Sequence, residues 1–169
     1  MPLPDQGLPE AVFLMASRLT PMVNVDLLIR NAQRQMLLTW RADPIFGQGW
    51  HVPGGVVRLQ ESFADRIAAV AANELGVMVA FQPQPIGVYE TVDISRPFRT
   101  HHVSLLFACA LGGEPKVARR HPGEPPLSGE WDWHSSCPEA FLQPPYRAFF
   151  TAVGEQLERR SRWAIAKTT

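Results

Sequence analysis

The stretch GGVVRLQESFADRIAAVAANELGV, residues 54–77, decides how the rest of the chain is read. It is entered by Trp50-His51-Val52-Pro53, a short strand running into the paired glycines Gly54 and Gly55. From Glu61 to Leu75 the pattern is helical, with Phe63, Ile67, Ala71 and Leu75 spaced four apart on one face. Gly76 follows at the position of a left-handed C-cap, and Val77 opens the next apolar run. Glu74 projects at the edge of the apolar face, among Phe63, Ile67 and Val70. A carboxylate there costs several kcal/mol, on the order of an unpaired buried charge, unless it has a partner. It either ligates a metal, pairs with an arginine, or is hydrogen-bonded at the helix end.

Outward from this stretch, residues 8–20 read as an amphipathic helix ended by Pro21. Residues 22–29 and 36–40 read as two strands of a hairpin, joined by a polar turn. After the central helix come β-like runs at 77–81, 86–91 and 102–111. Residues 112–129 are rich in Pro and Gly and read as a long loop, a length that usually carries function or disorder. A short strand over 130–133 and a terminal helix over 146–162, with Phe149, Phe150, Val153 and Leu157 on one side, complete the chain. No repeat or linker divides it. The expectation is one α+β domain spanning 1–169, a mixed β-sheet sandwiched between helices.

Composition narrows the function classes. Sixteen Lys and Arg balance sixteen Asp and Glu, so no global field draws in nucleic acid or a membrane, and an anionic ligand must be held by local arginines. The two cysteines, Cys109 and Cys137, lack metal or disulfide spacing and read as reduced thiols of a cytoplasmic protein. The apolar run 11–16 is too short to span a bilayer and lacks the flanks of a signal peptide.

The glycine-helix stretch resembles the Nudix signature, which is Gly, five residues, Glu, seven residues, then Arg-Glu-U-x-Glu-Glu-x-Gly-U with U aliphatic. Gly55, Glu61, Glu74, Gly76 and the aliphatic positions match, whereas Ala69, Val70 and Asn73 replace the arginine and two carboxylates. Over residues 8–135 the chain is similar to GDP-mannose mannosyl hydrolases, which depart from the signature at two of the same positions. The similarity runs through residues 19–31, Leu37 to Arg41, Gly49 to Gly55, Thr100 to Val103, and Trp133.

What that resemblance implies is a Mg²⁺- or Mn²⁺-dependent hydrolase of a nucleoside diphosphate sugar, GDP-mannose-like, or a related nucleoside diphosphate derivative. Glu74 and the Gly54 carbonyl would hold the metal. Asp26 and Arg41 would bind substrate, with His102 standing where the family has a tyrosine. The family activates water with a loop histidine; here His121 takes that role by a shifted register, with Glu130 and Glu124 as further candidates and Glu130 favoured at its strand start. The family's two box arginines correspond to Val56 and Ala69. Arg66 either pairs with Glu74 or faces a phosphate, and Arg96 and Arg99 either hold phosphates or belong to a solvated loop. The family and the apolar N-terminal helix imply a homodimer. Two alternatives stay open: a catalytically weak nucleotide-binding sensor or partner module, favoured by the lost box residues, and a diphosphatase cutting a P–O bond.

Overall fold

The computed structural model describes residues 8–44, 47–123, 125–151, 154 and 156. The candidate Glu124 lies outside the described residues, as do Val153 and Leu157 of the expected terminal helix.

Helix α1 (Glu10–Ala16) leads into β1 (Met22–Ile29), β2 (Met36–Asp43), β3 (Gly47–His51) and β4 (Gly54–Val56). Helix α2 (Phe63–Val70) passes without a break into a π-helical turn at Ala71–Leu75. Then come β5 (Val79–Phe81), β6 (Gly87–Val92), β7 (His101–Leu111) and β8 (Trp131–His134), with short 3-10 turns at Val117–Arg119 and Pro144–Phe150. One sheet runs β4-β1-β7-β5, with β6 also on β7, and the other runs β3-β2-β8. Among the described strands β1 and β7 pair in parallel and the other strand pairings are antiparallel, so the first sheet is mixed as expected.

Alternation along β1 explains the layering, because successive strand residues face opposite ways. Val25, Leu27 and Ile29 join Ile67, Val70, Ala71, Leu75, Phe107 and Trp131 in one core beneath α2. Leu28 joins Met36, Leu38, Trp50, Leu106, Phe141, Tyr146 and Phe149 in a second core on the other side. Burying each of these large side chains stabilises the fold by roughly 1.5–3 kcal/mol before conformational entropy is set against it. At the Asn24–Asp26 end of β1, that second side opens into a cavity.

Several local expectations are corrected. The strands read as a hairpin, β1 and β2, lie in different sheets and meet through one isolated bridge, Arg30 to Met36. The true hairpin is β2–β3, whose register joins Thr39 to His51 and Arg41 to Gly49. Helix α2 starts at Phe63 because Ser62 caps it: the Ser62 hydroxyl accepts from the Asp65 amide at 3.1 Å, and the Asp65 carboxylate reaches back to Ser62. Ile67, Ala71 and Leu75 are buried as the stripe requires, but Phe63, in the first turn, is 45% exposed. The strand expected from Val77 begins at Val79. The segment expected to start a helix at Tyr146 is the 3-10 turn Pro144–Phe150. The 112–129 loop is pinned rather than open: the Lys116 amide donates to the Leu75 carbonyl at 2.9 Å, and the Trp131 indole donates to the Lys116 carbonyl at 2.9 Å. Among the described residues no helix is long and apolar enough to cross a membrane, and both cysteines are free thiols.

Candidate active site

A cavity of about 440 Å³ opens on the face of the mixed sheet opposite α2. Its floor is Asn24 and Asp26 from β1, His102 and Ser104 from β7, and Tyr89 and Thr91 from β6. Arg41, His51 and Gly54 form one wall, the loop residues Asp93, Arg96 and Arg99 another, and residues 142–146 a third. The structure thus brings Asp26, Arg41, Gly54 and His102 around one space, drawn from four strands.

Glu74 is held against this wall by its place in the π-helical turn. The Gly76 amide reaches back to the Ala71 carbonyl, a five-residue step, with Gly76 at φ 68° in the left-handed region that glycine adopts without strain. Such π turns inside α-helices are frequent at functional sites. The Glu74 carboxylate accepts from the Thr39 hydroxyl at 2.7 Å and from the Gly54 amide at 3.1 Å, and stays 25% exposed. Of the arginines considered for Glu74, Arg66 instead donates to Glu61 at 2.7 and 2.8 Å, while the charge of Arg41 acts on Glu74. Burial pushes the Glu74 pKa up, against the hydrogen bonds from Thr39 and Gly54 and the charge of Arg41.

His51 is the residue behind Thr39. Burial drives its pKa down to about 3, so the ring is neutral. Its Nδ1 lies 2.8 Å from the Val52 carbonyl, which places the proton on Nδ1 and leaves Nε2 to accept. Nε2 is 3.1 Å from the Thr39 hydroxyl. The Thr39 hydroxyl stands between His51 Nε2 and Glu74 Oε2, and its single proton serves one of these two acceptors at a time.

Asp26 is buried, with Tyr146 donating to its Oδ2 at 2.6 Å. Burial raises its pKa to about 6, although Tyr146, Ser104 and Arg41 each favour the carboxylate. Gly54 sits directly opposite Asp26 in the β1–β4 register, and a side chain on Gly54 would collide with the Asp26 carboxylate and the Val25 carbonyl. His102 is buried, and burial followed by the charges of Arg99 and Arg96 lowers its pKa to about 4.

His121 and Glu130 are brought together, but not to this cavity. His121 Nδ1 lies 2.9 Å from Glu130 Oε2, and its ring packs on Trp50 with centroids 5.5 Å apart. Trp50 and His51 are neighbours on β3, so their side chains point to opposite faces. The His121–Glu130 pair is therefore across the smaller sheet from Glu74, and neither residue lines the cavity.

The oxygen donors beside the cavity are hard ones, which suits Mg²⁺ or Mn²⁺. They include the Glu74 and Asp26 carboxylates and the Gly54 backbone; among the described residues no group of three His, Cys, Asp or Glu could hold an ion alone. The set fits a divalent ion that takes most of its shell from water and a bound phosphate, and does not fit a cage built by protein alone. Thr39, His51, Tyr146 and Gln143, which shape the site, were not singled out from sequence. Thr39 and Arg41, two apart on one strand, carried a usable signal; Tyr146 lies 120 residues from Asp26 and carried none.

A NUDIX domain model matches residues 20–148, spanning every element from β1 through most of the Pro144–Phe150 turn. The chain is 34% identical over 95 residues to the low-salt glycan biosynthesis protein Agl8 of Haloferax volcanii, an alignment covering 54% of this chain and 60% of that protein. In architecture it is similar to a MutT protein from Methanosarcina mazei Go1, with a TM-score of 0.60 and 21% identity over 84% of this chain and 96% of that one. It is also similar to an ADP-ribose pyrophosphatase from Streptococcus suis 89-1591, with a TM-score of 0.54 and 19% identity over 83% and 92% of the two chains. The glycine turn, the capped helix and the domain match agree: the chain belongs to the Nudix hydrolase family.

Proposed function

We propose that the protein is a divalent-metal-dependent hydrolase of a nucleoside diphosphate sugar, GDP-mannose-like, or of a related nucleoside diphosphate derivative. The observation that carries this reading is the Glu74 carboxylate, fixed by Thr39 and by the amide of Gly54, a residue that lines the cavity together with Asp26, Arg41, Arg96 and Arg99 while Glu74 itself stands behind it. A cavity with a carboxylate at one wall and guanidinium groups around it suits a ligand that brings its own phosphates. The curated relative's name, which places it in glycan biosynthesis, favours a sugar-linked substrate.

In this reading Glu74 and the Gly54 carbonyl hold the metal, which when bound neutralises phosphate charge and polarises the leaving group. Arg41 donates to a phosphate oxygen. Asp26, oriented by Tyr146 and packed beside Gly54, faces the bond to be broken and receives the proton of the attacking water. His102, neutral at pH 7, contacts the ligand across the floor of the cavity. His121 and Glu130 take no part in the step while the 112–129 loop keeps its present contacts.

A second reading, a catalytically weak module that senses or presents a nucleotide, is favoured by the single carboxylate at the metal position. Calorimetric titration of Mn²⁺ into wild type and Glu74→Gln, with and without GDP-mannose, separates the two. The hydrolase reading expects weak metal binding alone, tighter binding with nucleotide, and loss of that coupling in Glu74→Gln. Equal metal affinity in both proteins removes Glu74 as a ligand and leaves the binding module.

A further inference from the structure

We propose that the loop between β6 and β7 carries a diphosphate subsite, in which Arg96 and Arg99 grip the two phosphoryl groups while Asp93 and Asp43 hold the guanidiniums in position. The nature of the ligand rests on the functional reading above; the geometry rests on residues with no part in the metal site. Asp93, Arg96 and Arg99 all line the cavity.

Both arginines are ordered in advance. Arg96 Nε donates to Asp93 Oδ2 at 2.6 Å, and Asp93 is itself fixed by the Ser95 amide at 3.0 Å. Arg99 Nη1 donates to Asp43 Oδ2 at 3.3 Å, and its guanidinium stands 5.5 Å from the centre of the Phe13 ring. Only 23% and 18% of the two side chains is exposed. A surface arginine gives up rotamer freedom when a ligand immobilises it, and here folding has already removed much of that freedom. Each guanidinium has five N–H donors in a planar fork, so donating to a carboxylate and to a phosphate are compatible.

The backbone and the local charge point the same way. Arg99 has φ 52°, left-handed and strained for a residue with a side chain, and its amide is tied to the Ser17 hydroxyl at 3.2 Å. Strain of this kind persists only where surrounding contacts enforce it, and it clusters at ligand clamps. Arg41, Arg96, Arg99 and His102 crowd one cavity. Burial, then the neighbouring Arg41 and Arg96, pulls the Arg99 pKa down against the attraction of Asp43. An anion entering between the guanidiniums relieves that crowding. Two planar forks that line the same cavity offer donors for two phosphoryl groups, more than one carboxylate can accept.

The test is calorimetric titration of inorganic pyrophosphate, without metal, into wild type, Arg96→Gln, Arg99→Lys and Arg120→Gln. Arg120 is exposed on a different loop and controls for diffuse charge. Arg96→Gln should weaken pyrophosphate about ten-fold or more, the effect of one lost charge-assisted hydrogen bond. Arg99→Lys, which keeps the charge but not the fork, should also weaken it, and Arg120→Gln should leave it unchanged. Thermal melts establish that each variant is folded. Wild-type affinity in a folded Arg96→Gln overturns the proposal, as does an equal loss in Arg120→Gln. Pyrophosphate binding that depends on Arg96 in a protein that turns over no nucleotide sugar leaves the subsite standing and removes the hydrolase reading.

Discussion

Replacing His102 with Gln should make the protein more tolerant of acid, by an amount that the cavity sets. His102 is buried beneath Arg96 and Arg99, and its pKa falls from the ordinary 6.5 to about 4. A histidine with a depressed folded pKa contributes stability that is fully present above pH 6.5 and is lost as the pH falls toward 4, because the unfolded chain takes up the proton first. At about 1.4 kcal/mol per pH unit, that interval corresponds to roughly 3 kcal/mol. Gln keeps a polar side chain and does not titrate. Urea unfolding of both proteins, followed by circular dichroism at steps from pH 7.5 to pH 4, should show wild type losing roughly 3 kcal/mol more than the variant. Burial is the first cause of the shift, so high salt should narrow the difference without abolishing it. Parallel stability curves for the two proteins would refute the assignment of His102 as a buried neutral ring in a cationic cavity.

Arg41→Ala should weaken nucleotide binding by about 1.5–3 kcal/mol, the scale of a charge-assisted hydrogen bond; unchanged affinity in a titration takes Arg41 out of the site. Glu61→Gln leaves Arg66, whose side chain is 9% exposed, one neutral acceptor in place of a bidentate carboxylate, and should cost about 1–3 kcal/mol in a chemical melt. Gly54→Ala should lower both stability and ligand affinity, since the added methyl meets the Asp26 carboxylate; a variant with wild-type melting and binding would contradict that packing. The homodimer expected through α1, where Val12 and Met15 are exposed with Leu19 in the turn after it, predicts that Met15→Glu lowers the sedimenting mass. An unchanged mass removes that face.

The central segment was legible because its signals are local. Ser62, Gly76 and the four-residue spacing of Ile67, Ala71 and Leu75 specify a helix and its ends without help from elsewhere. The pairing of strands was not legible in the same way. Nothing local says that β1 leaves β2 for β7, since that choice depends on covering both faces of β1 and on residues eighty positions away. Gly54 and Glu74 belong to the glycine-helix stretch and Asp26 and Arg41 to the wider resemblance, whereas the hydrogen-bond partners of Glu74 and Asp26 carried no such signal. Thr39 and His51, paired on the β2–β3 hairpin, meet Glu74 from the π-helical turn, and Tyr146 reaches Asp26 from the far end of the described chain. His121 was drawn toward the site by counting along a loop, where spacing has no fixed relation to distance; its actual partners are Glu130 and Trp50.

The most direct measurement is product analysis after incubation with a panel of nucleoside diphosphate sugars, GDP-mannose among them, with Mg²⁺ or Mn²⁺. The account predicts metal-dependent release of a nucleotide product and a sugar product from at least one of them, lost when metal is chelated and strongly reduced in Glu74→Gln. Nucleotide that binds but is never cleaved, with either metal and every sugar in the panel, would contradict the hydrolase reading.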